Sequence, residues 1–96
     1  MTSHALALFL HREVGRTVVE LVGPLDRETG AILDDVVTQL LADPRTAPVI
    51  EIRCARVTVI DDAGHDLLAD LDRAARRTGR VVALDRPPPL GREPMG

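Results

Sequence analysis

Two stretches of helical period, each set between runs of β-branched residues, limit what this 96-residue chain can fold into more than any other feature. Leu33, Val36, Val37, Leu40 and Leu41 recur at i, i+3, i+4, i+7 and i+8, which gathers them into one apolar stripe. Gly64, Leu67, Leu68, Leu71, Ala74 and Ala75 form a second stripe in a helix predicted over residues 63–78. Asp66, Asp70, Arg73 and Arg77 fall on its outer side. Apolar, β-favouring runs at 5–10, 17–22, 49–52 and 80–84 read as strands, with 57–60 continuing the apolar character of the third, which gives the order β-β-α-β-α-β. Strands that alternate with single amphipathic helices require crossovers within one sheet. The expected fold class is therefore α/β, with a mixed sheet and helices on one or both faces. A chain this short supports one core and no second domain.

Punctuation agrees with this reading. Gly15 sits in a polar loop between the first two strands, as a hairpin needs. Gly23-Pro24 should stop the second strand, because proline cannot donate to a ladder. Asp26 or Thr29 can cap the first helix and Asp43-Pro44 can end it. Gly79 suits the residue after the second helix. Four prolines and two glycines in residues 86–96 predict a loose tail beyond a domain at 1–85.

Charge and composition exclude several functions. All 12 basic residues are arginines, set against 15 acidic ones, so the net charge is −3. No basic field is present for a phosphate backbone, and Phe9 is the only aromatic side chain for stacking. Nucleic acid is therefore not an expected partner. Cys54 is the single cysteine, which rules out an internal disulfide and a cysteine zinc cluster. The apolar run at 5–10 is too short for a signal or membrane segment, so a cytoplasmic location is expected.

The densest group of polar candidates lies where the third strand meets the second helix, in Val57-Thr58-Val59-Ile60-Asp61-Asp62-Ala63-Gly64. Asp61 or Asp62 can cap the helix, whose first N–H groups offer an anion site, and Gly64 lets another backbone approach. The plain alternative is a capped joint with no function. Asp61, Asp62, His65 and Asp66 could also hold a divalent metal or act as an acid–base pair, the basis of a small metal-dependent enzyme. Against that, nothing else in the chain supplies a nucleophile. Cys54, with Arg53 beside it and Arg56 nearby, is either a low-pKa redox thiol or a small buried core residue. Asp26 is a cap, an interface residue, or both. His4 and His11 read as surface residues.

Taken together, VVELVGPLD from Val18, PVIEIRCARVTVIDDAG from Pro48 and GRVVAL from Gly79 resemble the STAS domain of bacterial anti-sigma factor antagonists. The likeness spans roughly residues 5–84. It rests on Gly23-Pro24-Leu25-Asp26 before the first helix, on the loop at 57–64, and on Gly79 with the strand behind it. The resemblance implies a protein-interaction module without cofactor or catalytic residues. It would bind an anti-sigma factor, a histidine-kinase-like ATPase, through Asp26, Asp61, Asp62, Ala63, Gly64 and His65, and so act in transcription control.

In that family a serine or threonine just before the loop glycine takes a regulatory phosphate. Ala63 stands at that position and cannot. The expectation is a domain held in its binding-competent form. The opposite, Asp62 as a built-in charge that holds it off, is disfavoured because adjacent helix positions point about 100° apart. The resemblance also implies alternatives, a stressosome-type or lipid-transporter-associated STAS subunit. Family members usually continue into another helix after the last strand, whereas Pro87-Pro88-Pro89 follows here. That favours a homodimer or a permanent partner over an exposed surface.

Overall fold

The stripes and strand runs appear in the expected order in a computed structural model, which describes residues 6–84. The elements are β1 (Ala7–Glu13), β2 (Arg16–Leu25), α1 (Arg27–Ala42), β3 (Val49–Ile60), α2 (Asp62–Arg77) and β4 (Val81–Leu84). The tail expected at 86–96, the end of the domain at residue 85 and His4 lie outside the described residues.

Hairpin and crossovers together fix the sheet. A two-residue turn at Val14-Gly15, with Gly15 at φ 77°, folds β1 back on β2 with Glu13 opposite Arg16. β2, β3 and β4 then run parallel, in the spatial order β1-β2-β3-β4. Both βαβ crossovers step the same way across the sheet. Right-handed crossovers therefore put α1 and α2 side by side on one face. Beneath them lies the core, in which Leu33 and Val37 of α1 and Leu68 and Leu71 of α2 close over Val19, Leu21, Ile50, Ile52 and Cys54. Complete burial of one such aliphatic side chain contributes roughly 1.5–3 kcal/mol.

One expectation about the strands needs correction. Gly23-Pro24 does not stop β2, which runs on to Leu25. The register against β3 shifts between Gly23 and Leu25, so Pro24 stands outside the ladder and its missing N–H breaks no bond. The apolar run at 49–52 and its continuation at 57–60 form the single strand expected between the helices. Along this 12-residue strand Glu20 pairs with Arg53 but Val22 pairs with Arg56. That extra residue is a bulge. It moves the inward positions from Ile50, Ile52 and Cys54 to Val57 and so disguises the alternation.

Among the described residues no helix covers the far face of the sheet, which is closed by charge. Val18, fully buried, sits in the ladder between His11 and Glu51. Glu51 is 4% exposed and accepts from Arg16 Nη1 at 2.5 Å and from Arg53 Nε at 3.0 Å, while Arg53 reaches Glu13 at 3.2 Å. Hydrogen bonds from Arg53 and then Arg16 hold the Glu51 carboxyl below its usual range. At the same end of the sheet, where β4 begins beside Val49, the Arg80 guanidinium donates to the carbonyls of Leu41, Asp43 and Thr46, covering the C-terminus of α1.

A depressed carboxyl pKa stabilises the fold above the group's unfolded value and loses that stabilisation as pH falls through the folded one. At pH 7, Glu51→Gln is expected to be less stable than wild type by about 1.5 kcal/mol in urea unfolding. That gap should close as the pH is lowered below about 4.5, the ordinary value for the group. An unchanged gap at pH 3 would contradict the assignment.

Candidate functional site

Both helices begin on an aspartate, and the two beginnings lie side by side. At α1 the Asp26 carboxylate accepts from Thr29 N at 2.9 Å, while Thr29 Oγ1 accepts from Asp26 N at 2.9 Å, a reciprocal capping box. Thr29 Oγ1 also donates to the Pro24 carbonyl at 2.8 Å. The backbone N–H of Thr29 is the main reason the Asp26 carboxyl titrates below its usual value. At α2, Asp61 accepts from Gly64 N at 2.8 Å. Of the alternatives left open by the sequence, Asp26 and Asp61 are the caps; Thr29 is the reciprocal partner and Asp62 the first residue of α2.

The two beginnings are tied together through Leu25. Asp61 N donates to the Leu25 carbonyl at 3.4 Å. A Cβ on Gly64 would lie 2.5 Å from that same oxygen and 2.7 Å from Ile60 Cγ1. Only glycine allows this approach. One turn further along, a Cβ on Gly30 of α1 would meet the Leu67 side chain at 3.0 Å, so the helices are close there as well.

This packing leaves a shallow groove of about 380 Å³ between the first halves of α1 and α2. Asp26, Gly30, Ala31 and Asp34 line one side, and Ala63, Asp66, Leu67 and Asp70 the other. Four carboxylates thus edge a floor of small and apolar groups, with Arg27 the one cation in the lining. Asp70 is ion-paired with Arg73. No bound group is needed to satisfy the described side chains, since none has a buried polar atom without a partner.

The sequence candidates divide across this geometry. Asp26 and Ala63 share the groove, Gly64 lies buried behind it, and Asp61 is spent as a cap. Asp62 is exposed outside the lining. His65 turns to the other flank of α2, into a depression with Leu68, Asp72, Val82 and Leu84. The expected acid–base set is therefore split, and among the described residues no three His, Cys, Asp or Glu side chains are grouped to hold a metal. Cys54 is a core residue at 1% exposure. Arg53 bonds Glu51 at 3.0 Å and Arg56 approaches Glu20 at 4.0 Å. Gly30, Ala31 and Asp34 were missed as groove residues. The signal was the Gly-Ala pair one turn into α1, which mirrors Ala63-Gly64.

Fold and groove define a small single-sheet α/β domain with two adjacent helices on one face. The family model described as "Mlab, STAS domain" matches residues 8–95, and the chain belongs to the STAS domain family. Among solved structures, the anti-sigma factor antagonist SpoIIAA in its unphosphorylated form superposes with a TM-score of 0.71 at 19% identity, over 86% of this chain and 76% of that one. An anti-sigma factor antagonist from Mycobacterium paratuberculosis gives 0.66 at 20% identity, over 82% and 63%. Mglu gives 0.73 at 26% identity over 85% of this chain, which spans 20% of the Mglu chain. No curated protein matches by sequence. No helix among the described residues is long and apolar enough to cross a membrane.

Gly64→Ala is expected to lower stability by about 3 kcal/mol, because a carbonyl and a β-branched side chain would both have to move. Gly30→Ala should lose markedly less, since only the tip of Leu67 opposes it. Urea unfolding of the two variants checks the ranking, and equal losses would contradict the close approach at Leu25.

Proposed function

We propose that this chain is a protein-interaction module of the anti-sigma factor antagonist type. It binds an anti-sigma factor of the histidine-kinase-like ATPase class through the groove between α1 and α2, and it acts by binding rather than by catalysis. The observation that carries the reading is the convergence of Asp26 and Ala63, from two distant sequence segments, on one open surface. Its acidic rim suits a partner that presents arginine or lysine over a small apolar contact. The antagonist structures it resembles support the same class of partner.

In this reading the domain is permanently competent to bind. Ala63 lies in the groove lining and has no hydroxyl to phosphorylate. Asp62, exposed outside the lining, does not stand where a phosphate on residue 63 would stand. It also carries one charge against about −1.5 to −2 for a phosphate. Membership of the STAS family is equally compatible with a second reading, a STAS subunit held constantly in a larger assembly of the stressosome or transporter-associated kind. Copurification of such a particle would distinguish it.

Incubation with a histidine-kinase-like anti-sigma factor and ATP is expected to give a complex and no phosphate on this chain. Ala63→Ser should restore a phosphoacceptor in the same assay. Ala63→Glu, placed in the groove, should weaken the complex by roughly tenfold or more. Asp62→Ser should leave affinity unchanged within about tenfold, and a larger gain would show that Asp62 holds the domain off.

A further inference from the structure

β1 is an edge strand, and its free side lacks the usual protections. Among the described residues β2 is its only paired neighbour. Its sequence, ALFLHRE, has no proline or lysine and confines charge to its last three residues. Phe9 is 55% exposed and Leu10 47% exposed. The two-residue turn makes Glu13 and Arg16 the hydrogen-bonded pair that closes the hairpin. Bonded pairs alternate from there, so Leu8, Leu10 and Arg12 turn their N–H and C=O groups outward.

The helix above this edge is apolar on the same side. Ala31 and Asp34 mark the flank of α1 that faces α2, and Ile32 and Val36 lie about half a turn away. Ile32 is 44% exposed and Val36 half-buried. Leu40, on that same flank, lines a depression with Leu10. A free row of backbone groups thus runs beneath an exposed apolar strip.

We propose that a second copy of this chain covers this edge. The two β1 strands pair antiparallel about a two-fold axis at Phe9, giving one continuous eight-stranded sheet. This register places Leu8 opposite Leu10 of the second copy as hydrogen-bonded pairs and sets the two Phe9 rings against each other on the far face. β2 reverses between β1 and α1, so β1 and α1 run the same way. Their C-terminal ends lie together at Leu10, Arg12, Leu40 and Asp43. The two-fold therefore carries Arg12 to the first half of the second copy's α1. There Glu28 and Asp35 flank Ile32 on the helix surface, and this charge complementarity favours a second copy over an unrelated strand. The groove between α1 and α2 lies on the opposite flank and stays open in the dimer.

Sedimentation velocity of the full chain over a concentration series tests the pairing. Wild type is expected to dimerise reversibly. Ile32→Arg, at an exposed position, should weaken the dimer by roughly tenfold or more, and Leu10→Pro should remove it by deleting an outward N–H. Val59→Glu, exposed elsewhere, should leave it intact. Phe9→Cys should form an intermolecular disulfide under mild oxidation, whereas Val59→Cys should not. A wild type that stays monomeric at about 1 mM overturns the proposal. So does a dimer that survives Ile32→Arg, or one in which Phe9→Cys fails to cross-link.

Discussion

Gly64 lies so close to the Leu25 carbonyl that no side chain fits between them, and much of the molecule's functional geometry follows from that approach. Leu25 ends β2 and Gly64 opens α2. Their contact presses the start of the second helix onto the strand that leads into the first. Asp26, the residue after Leu25, then caps α1 beside the point where Asp61 caps α2. Two loops separated by more than thirty residues become one surface. A side chain at Gly64 would push the start of α2 off Leu25 and Ile60, whereas one at Gly30 would meet only the tip of Leu67.

The candidate site is an open groove rather than an enclosed pocket, and what it offers suits the proposed recognition of a partner. The caps consume the strongest hydrogen-bonding capacity of Asp26 and Asp61, so what remains on offer is charge and shape. Asp34, Asp66 and Asp70 add to a negative rim, while Ala31 and Ala63 keep the floor low. The position that would carry a regulatory phosphate in the resembled family is occupied by a methyl group. Under the proposed function, binding would persist with that arrangement and control would come from another source, such as the abundance or the state of the partner. On the far face the charges are paired with one another instead. Glu51 joins Arg16 and Arg53 over Val18, which leaves that surface structurally committed.

Element order, both helices, the hairpin and the two caps were legible from the sequence because each has a local cause: a period of 3.6, a glycine at positive φ, or an aspartate before an apolar stripe. The extension of β2 through Pro24 and the bulge within the third strand were not. Both depend on how β2 and β3 register against each other, and extra residues of β3 opposite Leu21 and Pro24 reset the alternation that a reader relies on. The site was partly legible. Asp26 and Ala63 were identified as candidates, but neighbours along α2 looked equivalent until the helix was oriented. His65, only two residues from Ala63, turns to the opposite flank against β4. The pairing of Gly30 with Leu67 likewise exists only once the helices are docked.

The central claim is that a protein partner occupies the groove between α1 and α2. Amide hydrogen exchange on the complex with a histidine-kinase-like anti-sigma factor tests it most directly. The account predicts slowed exchange concentrated in the first halves of α1 and α2, around Gly30–Asp34 and Ala63–Asp70, with β1 and the depression beside β4 unchanged. Protection confined to the flank of α2 that carries His65, or to the far face of the sheet, would contradict it.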